Sequence, residues 1–98
     1  MRFTLNYSDI AKADLKELKK NAHLEKRYKA VTKALLRLAE NPKHPSLQTH
    51  QFHSILGPNG EKVFEAYAEN NTPGAYRIFF CYGLVRGDVD ILMITPHP

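Results

Sequence analysis

A chain of 98 residues, 43% hydrophobic and 24% charged, can form one domain with a single core, and we predict one domain spanning residues 1–98. The only cysteine, Cys81, lies in an apolar run, so the composition excludes an intrachain disulfide and a cysteine-rich zinc site, and it fits a reducing cytosol. No apolar stretch has the length of a signal peptide core or a membrane span, which predicts a soluble, cytoplasmic protein.

The net charge of +4 is distributed unevenly along the chain. Residues 1–49 hold eleven Lys and Arg against five Asp and Glu, whereas residues 50–98 hold three against five. This asymmetry favours a polyanionic partner such as nucleic acid, or a strongly acidic protein. The alternative is that these basic residues are only the solvated face of amphipathic helices.

The first half of the sequence predicts one strand and two helices. Arg2 to Tyr7 alternates apolar and polar residues, the period of a half-buried strand. Ser8 or Asp9 offers an N-cap for a first helix that continues past Leu18. From about Leu24 to Ala39, apolar residues recur every three or four positions, which predicts a second, basic amphipathic helix. Together these two segments predict a helical hairpin.

The second half predicts a long loop and three strands. Residues 41–60, rich in Pro, His, Ser, Gln and Gly, are expected to form the loop. Strands are predicted at Lys62 to Ala68, Tyr76 to Tyr82 and Val89 to Ile94. The order β-α-α-β-β-β predicts an α+β domain, with the two-helix hairpin packed on an antiparallel-type sheet of about four strands.

This order, the basic hairpin and the run Ala75-Tyr76-Arg77-Ile78-Phe79-Phe80 resemble the RelE/ParE superfamily of toxins over nearly the whole chain. In that superfamily an arginine lies in an aromatic, apolar strand, and Arg77 takes its place here. The resemblance implies the toxin of a type II toxin–antitoxin module, a ribosome-dependent endoribonuclease that cleaves mRNA and inhibits translation. Its implied partners are a cognate antitoxin, mRNA and the ribosome.

The resemblance leaves other activities open, because one fold hosts several. The chain is alternatively a gyrase-inhibiting ParE-type toxin, or an inactive binding module of the same fold. Its second half carries only three basic residues, Lys62, Arg77 and Arg86, which departs from the lysine-rich nucleases of the superfamily. The sequence is closer to relatives that use a glutamate, an arginine and a terminal histidine.

Metal-independent RNA cleavage requires a base for the 2′-hydroxyl, a cation at the scissile phosphate and an acid for the leaving 5′-oxygen. Glu65, Arg77 and His97 supply these types, as general base, phosphate clamp and general acid respectively. The alternative is an exposed strand carboxylate, a surface or ion-paired arginine and a mobile terminal residue. No cofactor and no metal are predicted for this chemistry.

Further residues are predicted to bind RNA. Lys62 is a candidate phosphate contact, and Tyr67 and Tyr82 are candidates for base stacking, with half-buried packing as the alternative for each tyrosine. The second helix adds Lys26, Arg27, Lys29 and Lys33. The antitoxin is expected to dock on this helix and on the edge of the first strand.

Three histidines and the cysteine complete the chemically notable residues. One hypothesis is a zinc site formed by three histidines, His44, His50 and His53. Three histidines without a helix or an acidic ligand more often indicate a polar loop. Cys81, between Phe80 and Tyr82, is predicted to be a small core residue.

Overall fold

The computed structural model describes residues 2–70 and 72–96, which form two α-helices and five β-strands. In chain order these elements are β1 Thr4–Tyr7, α1 Asp9–Lys20, α2 Glu25–Glu40, β2 His50–Leu56, β3 Lys62–Tyr67, β4 Tyr76–Tyr82 and β5 Asp88–Pro96. Short 3-10 turns at Ala22–Leu24 and Pro45–Leu47 precede α2 and β2. Neither α1 nor α2 has the length and apolarity that a membrane crossing requires.

The described strands form one sheet in the order β1-β5-β4-β3-β2. The four strands β2 to β5 pair antiparallel with their neighbours in sequence, whereas β1 runs parallel to β5 with Leu5 opposite Val89. After β1 the chain passes through the helical hairpin and enters the sheet again at its opposite edge. The hairpin packs on the sheet face that carries Ile78 and Phe80, so it forms the second layer of the domain.

The predicted α+β fold, a helical hairpin on a sheet, is confirmed with two corrections. The sheet has five strands rather than about four, because part of the predicted 41–60 loop forms β2 opposite β3. It is mixed rather than antiparallel, because β1 and β5 are parallel. The sequence did not predict β2, because it is a polar edge strand. Its pairing also shifts register between Phe52 and Leu56, which interrupts the period-2 pattern.

The hydrophobic core fills the space between the hairpin and the sheet. Its buried members come from both layers and include Ala11, Leu18, Val31, Leu35, Leu38, Leu47, Ala66, Ile78, Phe80, Val89, Ile91 and Ile94. Spacings of three and four residues place the apolar stripe of α2 against the sheet. Each large side chain buried in this way contributes about 1.5–3 kcal/mol relative to an exposed position. The packing therefore fixes the sheet as a rigid platform.

Cys81 is buried in β4, as predicted for a small core residue. Burial raises the pKa of its thiol to about 11, and the negative charges of Glu61 and Asp90 add to the rise. The thiol is therefore protonated at neutral pH and lacks the thiolate that nucleophilic chemistry requires.

Two side chains of the first helical segment bind backbone groups of β5 where its pairing with β4 shifts register. The Ser8 hydroxyl accepts a hydrogen bond from the Ala11 amide, capping α1, and donates one to the Leu92 carbonyl at 2.6 Å. The Asp14 carboxylate accepts a hydrogen bond from the Ile94 amide at 2.9 Å. The Ser8 cap and the middle of α1 thereby satisfy backbone groups of β5 at and beside this irregularity.

We expect Ser8→Ala to lower the free energy of unfolding by about 1–2 kcal/mol, because it removes a helix cap and a hydrogen bond to β5. Urea denaturation measures the change. Ser54→Ala, at an exposed position of β2, is the matched control and should change stability far less. Equal stability of the two variants would contradict the assigned role of Ser8.

Candidate active site

A glutamate, an arginine and a histidine from three adjacent strands converge on the sheet face opposite the helices. Glu65 of β3 is the register partner of His50 in β2, and Tyr67 of β3 is the register partner of Arg77 in β4. Because side chains alternate along a strand, Glu65 and Tyr67 share one face, and their partners share it with them. Ala66 between them faces the core below the helices.

The Glu65 carboxylate lies at the centre of this cluster, with only 3% of its side chain exposed. Arg77 Nη1 donates a hydrogen bond to Glu65 Oε2, and His50 Nε2 lies 2.7 Å from Glu65 Oε1. Each carboxylate oxygen therefore has a nitrogen partner. A buried carboxylate needs such partners, because an unpaired charge in the interior costs several kcal/mol.

Arg77 is held by aromatic packing as well as by charge. Its guanidinium carbon lies 4.9 Å from the centre of the Phe79 ring, a cation–π arrangement, and the edge of Phe52 packs on the same ring. The Arg77 side chain is 13% exposed, and its buried Nε has no hydrogen-bond partner among the described residues. An unpartnered buried donor of this kind is uncommon in folded proteins and marks the position of Arg77 as unusual.

Tyr67 borders the cluster. Its ring centre lies 5.6 Å from that of His50. Burial raises the pKa of the Tyr67 phenol above its usual value, the nearby Glu65 carboxylate adds to the rise, and Arg77 opposes it. At neutral pH the phenol is protonated, so Tyr67 is available as a hydrogen-bond donor and stacking surface rather than as a base.

A cleft of about 410 Å³ opens beside Arg77 and Tyr67. Its remaining walls come from the β3–β4 loop and the segment before β2: Gln48, Glu69, Asn70, Thr72, Pro73 and Ala75. The backbone of Gln48 is left-handed, with a φ of 47°, which is an uncommon conformation for a residue other than glycine. Clefts of this volume are within the range that accommodates small ligands, which includes a nucleotide.

Arg27 on α2 holds the loop that forms one wall of this cleft. Its guanidinium donates to Glu69 Oε1 at 2.8 Å and to the Pro73 carbonyl at 2.9 Å, which ties the β3–β4 loop to the helix. The Arg27 guanidinium therefore donates its hydrogen bonds to groups within the protein. Lys26 and Lys33 are exposed on the same helix, and Lys29 forms an exposed pair with Glu25.

The structure brings together Glu65, Arg77 and Tyr67 among the residues predicted from the sequence. Lys62 is exposed at the start of β3, three residues before Glu65. Tyr82 lies at the far end of β4, where its ring packs 5.4 Å from that of Phe64 on the rim of a different cleft. His97 lies outside the described residues, so its place beside Arg77 stays a prediction.

His50 belongs to the cluster although the sequence pattern placed it in a loop. The signal that points to it is the spacing His50-x-Phe52, which puts the histidine on the same face as a partly buried aromatic residue of one strand. His44 does not belong to the cluster, and its Nδ1 accepts a hydrogen bond from the Ser46 amide. Within residues 2–70 and 72–96, no three His, Cys, Asp or Glu side chains form a metal-binding group.

Fold and cluster together define a class: a small α+β domain with a helical hairpin on one face of a five-stranded sheet and a buried Glu–Arg–His cluster on the other. Solved structures with a similar fold include a YoeB/ParE toxin and the toxin–antitoxin complex RelBE2 from Mycobacterium tuberculosis. No protein-family model matches the chain, and no curated protein does.

The similarity extends over the whole domain. The archaeal RelE–RelB complex from Pyrococcus horikoshii OT3 is 14% identical, with a TM-score of 0.66 over 98% of this chain and 96% of that one. The YoeB dimer from Staphylococcus aureus is 16% identical, with a TM-score of 0.65 over 100% of both chains. A YoeB/ParE toxin from Agrobacterium tumefaciens is 6% identical, with a TM-score of 0.69 over 97% and 99%. The chain therefore has the fold of the RelE/ParE superfamily, which confirms the resemblance at the level of fold.

The burial of the Glu65–Arg77 pair predicts strong energetic coupling between the two residues. We expect Arg77→Met to lower the free energy of unfolding by about 3 kcal/mol, because it removes one partner of a buried charge. The double variant Glu65→Leu with Arg77→Met should recover most of this loss, because no buried charge remains. Urea denaturation of the single and double variants tests this, and strictly additive losses would contradict it.

Proposed function

We propose that this protein is the toxin of a type II toxin–antitoxin module and acts in the cytoplasm as a ribosome-dependent endoribonuclease on mRNA. The observation that carries the proposal is the buried Glu65–Arg77 pair, in which the arginine also lines a cleft. An acidic and a basic group within contact distance supply two of the three groups that metal-independent RNA cleavage requires. The toxin fold of the neighbouring structures supports the same assignment.

Arg77 is the proposed phosphate clamp. Its planar guanidinium matches the oxygens of a phosphate, and charge that develops on the phosphate in the transition state strengthens the contact. Glu65, predicted from the sequence as the general base, is proposed to supply the negative charge that balances the proton taken from the ribose 2′-hydroxyl. His97 is the proposed acid for the leaving 5′-oxygen, because an imidazolium releases a proton near neutral pH.

Base stacking is proposed for Tyr67 at the cleft and for Tyr82 further along β4. Lys62 is proposed to contact a phosphate of bound RNA away from the cleft, because it is exposed at the start of β3 but alternation places it on the face opposite Glu65. The exposed lysines of α2 form a separate basic surface, proposed to contact ribosomal RNA. Arg27 contributes to the site by holding the β3–β4 loop.

A cognate antitoxin is the proposed protein partner, as RelB is of the archaeal RelE. An apolar groove of about 350 Å³ lies between β1 and the helices, and its lining residues are mainly apolar, among them Phe3, Leu5, Leu35 and Leu36. Leu36 is 53% exposed in the free chain, and β1 is an outer strand of the sheet. These features suit a partner that places an amphipathic helix in the groove or a strand along the edge.

We expect Arg77→Lys to slow mRNA cleavage on programmed ribosomes by about 100- to 1,000-fold, because lysine keeps the charge but lacks the planar fork. Single-turnover cleavage measures the rate, and growth arrest on induced expression provides a cellular readout. Arg86→Lys, in the exposed β4–β5 connection, is the matched control and should cleave at the parental rate. Inhibition of gyrase supercoiling without any mRNA cleavage would contradict the proposal and favour a ParE-type activity.

We expect the combined change of Lys26, Lys29 and Lys33 to glutamine to weaken ribosome binding and to flatten its dependence on salt. Removing one lysine–phosphate interaction lowers the slope of log affinity against log salt by about 0.7–0.9. Changing Lys12, Lys16 and Lys19 of α1 to glutamine alters the net charge equally and is the matched control. If both triple variants change the slope by the same amount, the α2 surface has no specific role.

A further inference from the structure

We infer that His50 is a catalytic residue of this site: its imidazole takes the proton from the ribose 2′-hydroxyl, while Glu65 orients the ring. The inference rests on the proposed ribonuclease function and identifies which side chain meets the substrate. It comes from the position of His50 on β2, an edge strand, between a buried carboxylate and solvent.

Glu65 and His50 differ in how far their side chains are exposed to solvent. The Glu65 side chain is 3% exposed and the His50 side chain is 48% exposed. Both oxygens of Glu65 are occupied, Oε2 by Arg77 and Oε1 by His50. Both ring nitrogens of His50 also have neighbours, Nε2 the Glu65 carboxylate and Nδ1 the Gln48 carbonyl oxygen. A substrate hydroxyl therefore reaches Nδ1 by displacing a neutral backbone carbonyl, whereas it reaches the carboxylate only by displacing Arg77 or His50. The arrangement corresponds to a histidine base held by a buried acid, as in catalytic triads.

Both ring nitrogens of His50 face oxygen atoms. His50 Nε2 lies 2.7 Å from a carboxylate oxygen of Glu65, and His50 Nδ1 lies 2.9 Å from the Gln48 carbonyl oxygen. Both neighbours are hydrogen-bond acceptors, so only the doubly protonated imidazolium donates to both when Glu65 is ionised.

Loss of one proton prepares the ring for substrate. The remaining proton stays on Nε2, because the charged carboxylate is a stronger acceptor than a backbone carbonyl. The lone pair of Nδ1 then faces the Gln48 carbonyl oxygen, a repulsive contact between two acceptors. A hydroxyl donor relieves it, and Gln48 lines both the cleft beside Arg77 and the neighbouring cleft that His50 lines. The 2′-hydroxyl of a ribose whose phosphate is bound by Arg77 is such a donor.

The chemical step is balanced at these atoms. The O–H bond of the 2′-hydroxyl breaks and its proton forms an N–H bond at Nδ1 of His50. The freed electron pair of the 2′-oxygen forms a bond to phosphorus, and the bond from phosphorus to the 5′-oxygen breaks. The leaving 5′-oxygen takes a proton from His97, the proposed acid. The products are a 2′,3′-cyclic phosphate and a 5′-hydroxyl end.

Charged and titratable groups face His50 from each side. Glu65 and Tyr67 approach from β3, and Arg77 lies beyond Glu65 on β4. Lys43 and His44 line a neighbouring cleft together with His50. Because the neutral ring is the active base, the cleavage rate should rise with pH on the acid side of its profile.

The decisive experiment compares His50→Gln with His53→Gln, an exposed histidine on the same strand, in single-turnover cleavage on programmed ribosomes between pH 5 and pH 8, a range about the ordinary histidine pKa. Glutamine keeps a donor for Glu65 but takes up no proton. We expect His50→Gln to slow cleavage by about 100- to 10,000-fold at neutral pH and to abolish the rise with pH. His53→Gln should retain both the rate and the profile.

The outcomes separate this inference from the proposed function. A parent protein that cuts no mRNA overturns both. A parent that cuts, with His50→Gln showing the parental rate, or a lower rate with an unchanged pH profile, overturns only the role of His50. His50→Ala with imidazole added to the buffer provides a second variant should glutamine disturb folding, as checked by circular dichroism. Rescue of cleavage by imidazole supports proton transfer at this position, and absence of rescue in a folded variant contradicts it.

Discussion

The buried carboxylate of Glu65 is the interaction on which the arrangement of the site depends. An ionised carboxylate that is 3% exposed is tolerated because Arg77 and His50 each bind one of its oxygens. The three residues come from three adjacent strands, so the charge is satisfied only when β2, β3 and β4 pair in their observed registers. A register shift of one residue would move the side chains of Arg77 and His50 to the other face of the sheet, and the Glu65 carboxylate would then have no partner. The same contacts orient the groups that border the cleft.

The rest of the domain keeps this three-strand unit in place. The core between the hairpin and the sheet fixes the opposite face of β3 and β4 through Ala66, Ile78 and Phe80. Arg27 connects α2 to the β3–β4 loop, so the cleft wall moves with the helix rather than freely. Structural side chains and proposed catalytic side chains therefore lie on opposite faces of the same strands. This separation lets the site carry polar, energetically costly contacts without weakening the core.

Much of the fold was predictable because its signals are local. The apolar stripe of α2, the Ser8 cap and the aromatic run of β4 each follow from residues close together in sequence, and the structure contains all three. Short loops between the last three strands also predicted their antiparallel pairing correctly. For the site, residue chemistry and the superfamily resemblance selected Glu65 and Arg77, and the two are in contact. Their burial was not predicted, since exposure depends on partners distant in sequence.

The sequence by itself determined the helices, the arginine-bearing strand and the residue types available for RNA cleavage, because these depend on local periodicity and side-chain chemistry. Only the tertiary structure decided that residues 50–56 form a fifth strand, that β1 runs parallel to β5 and that His50 meets Glu65. Strand pairing joins residues far apart in the chain, and an edge strand with polar side chains carries little periodic signal of its own. His50 became identifiable as a candidate catalytic residue once β2 had paired, since that pairing is what brings its ring to a buried carboxylate.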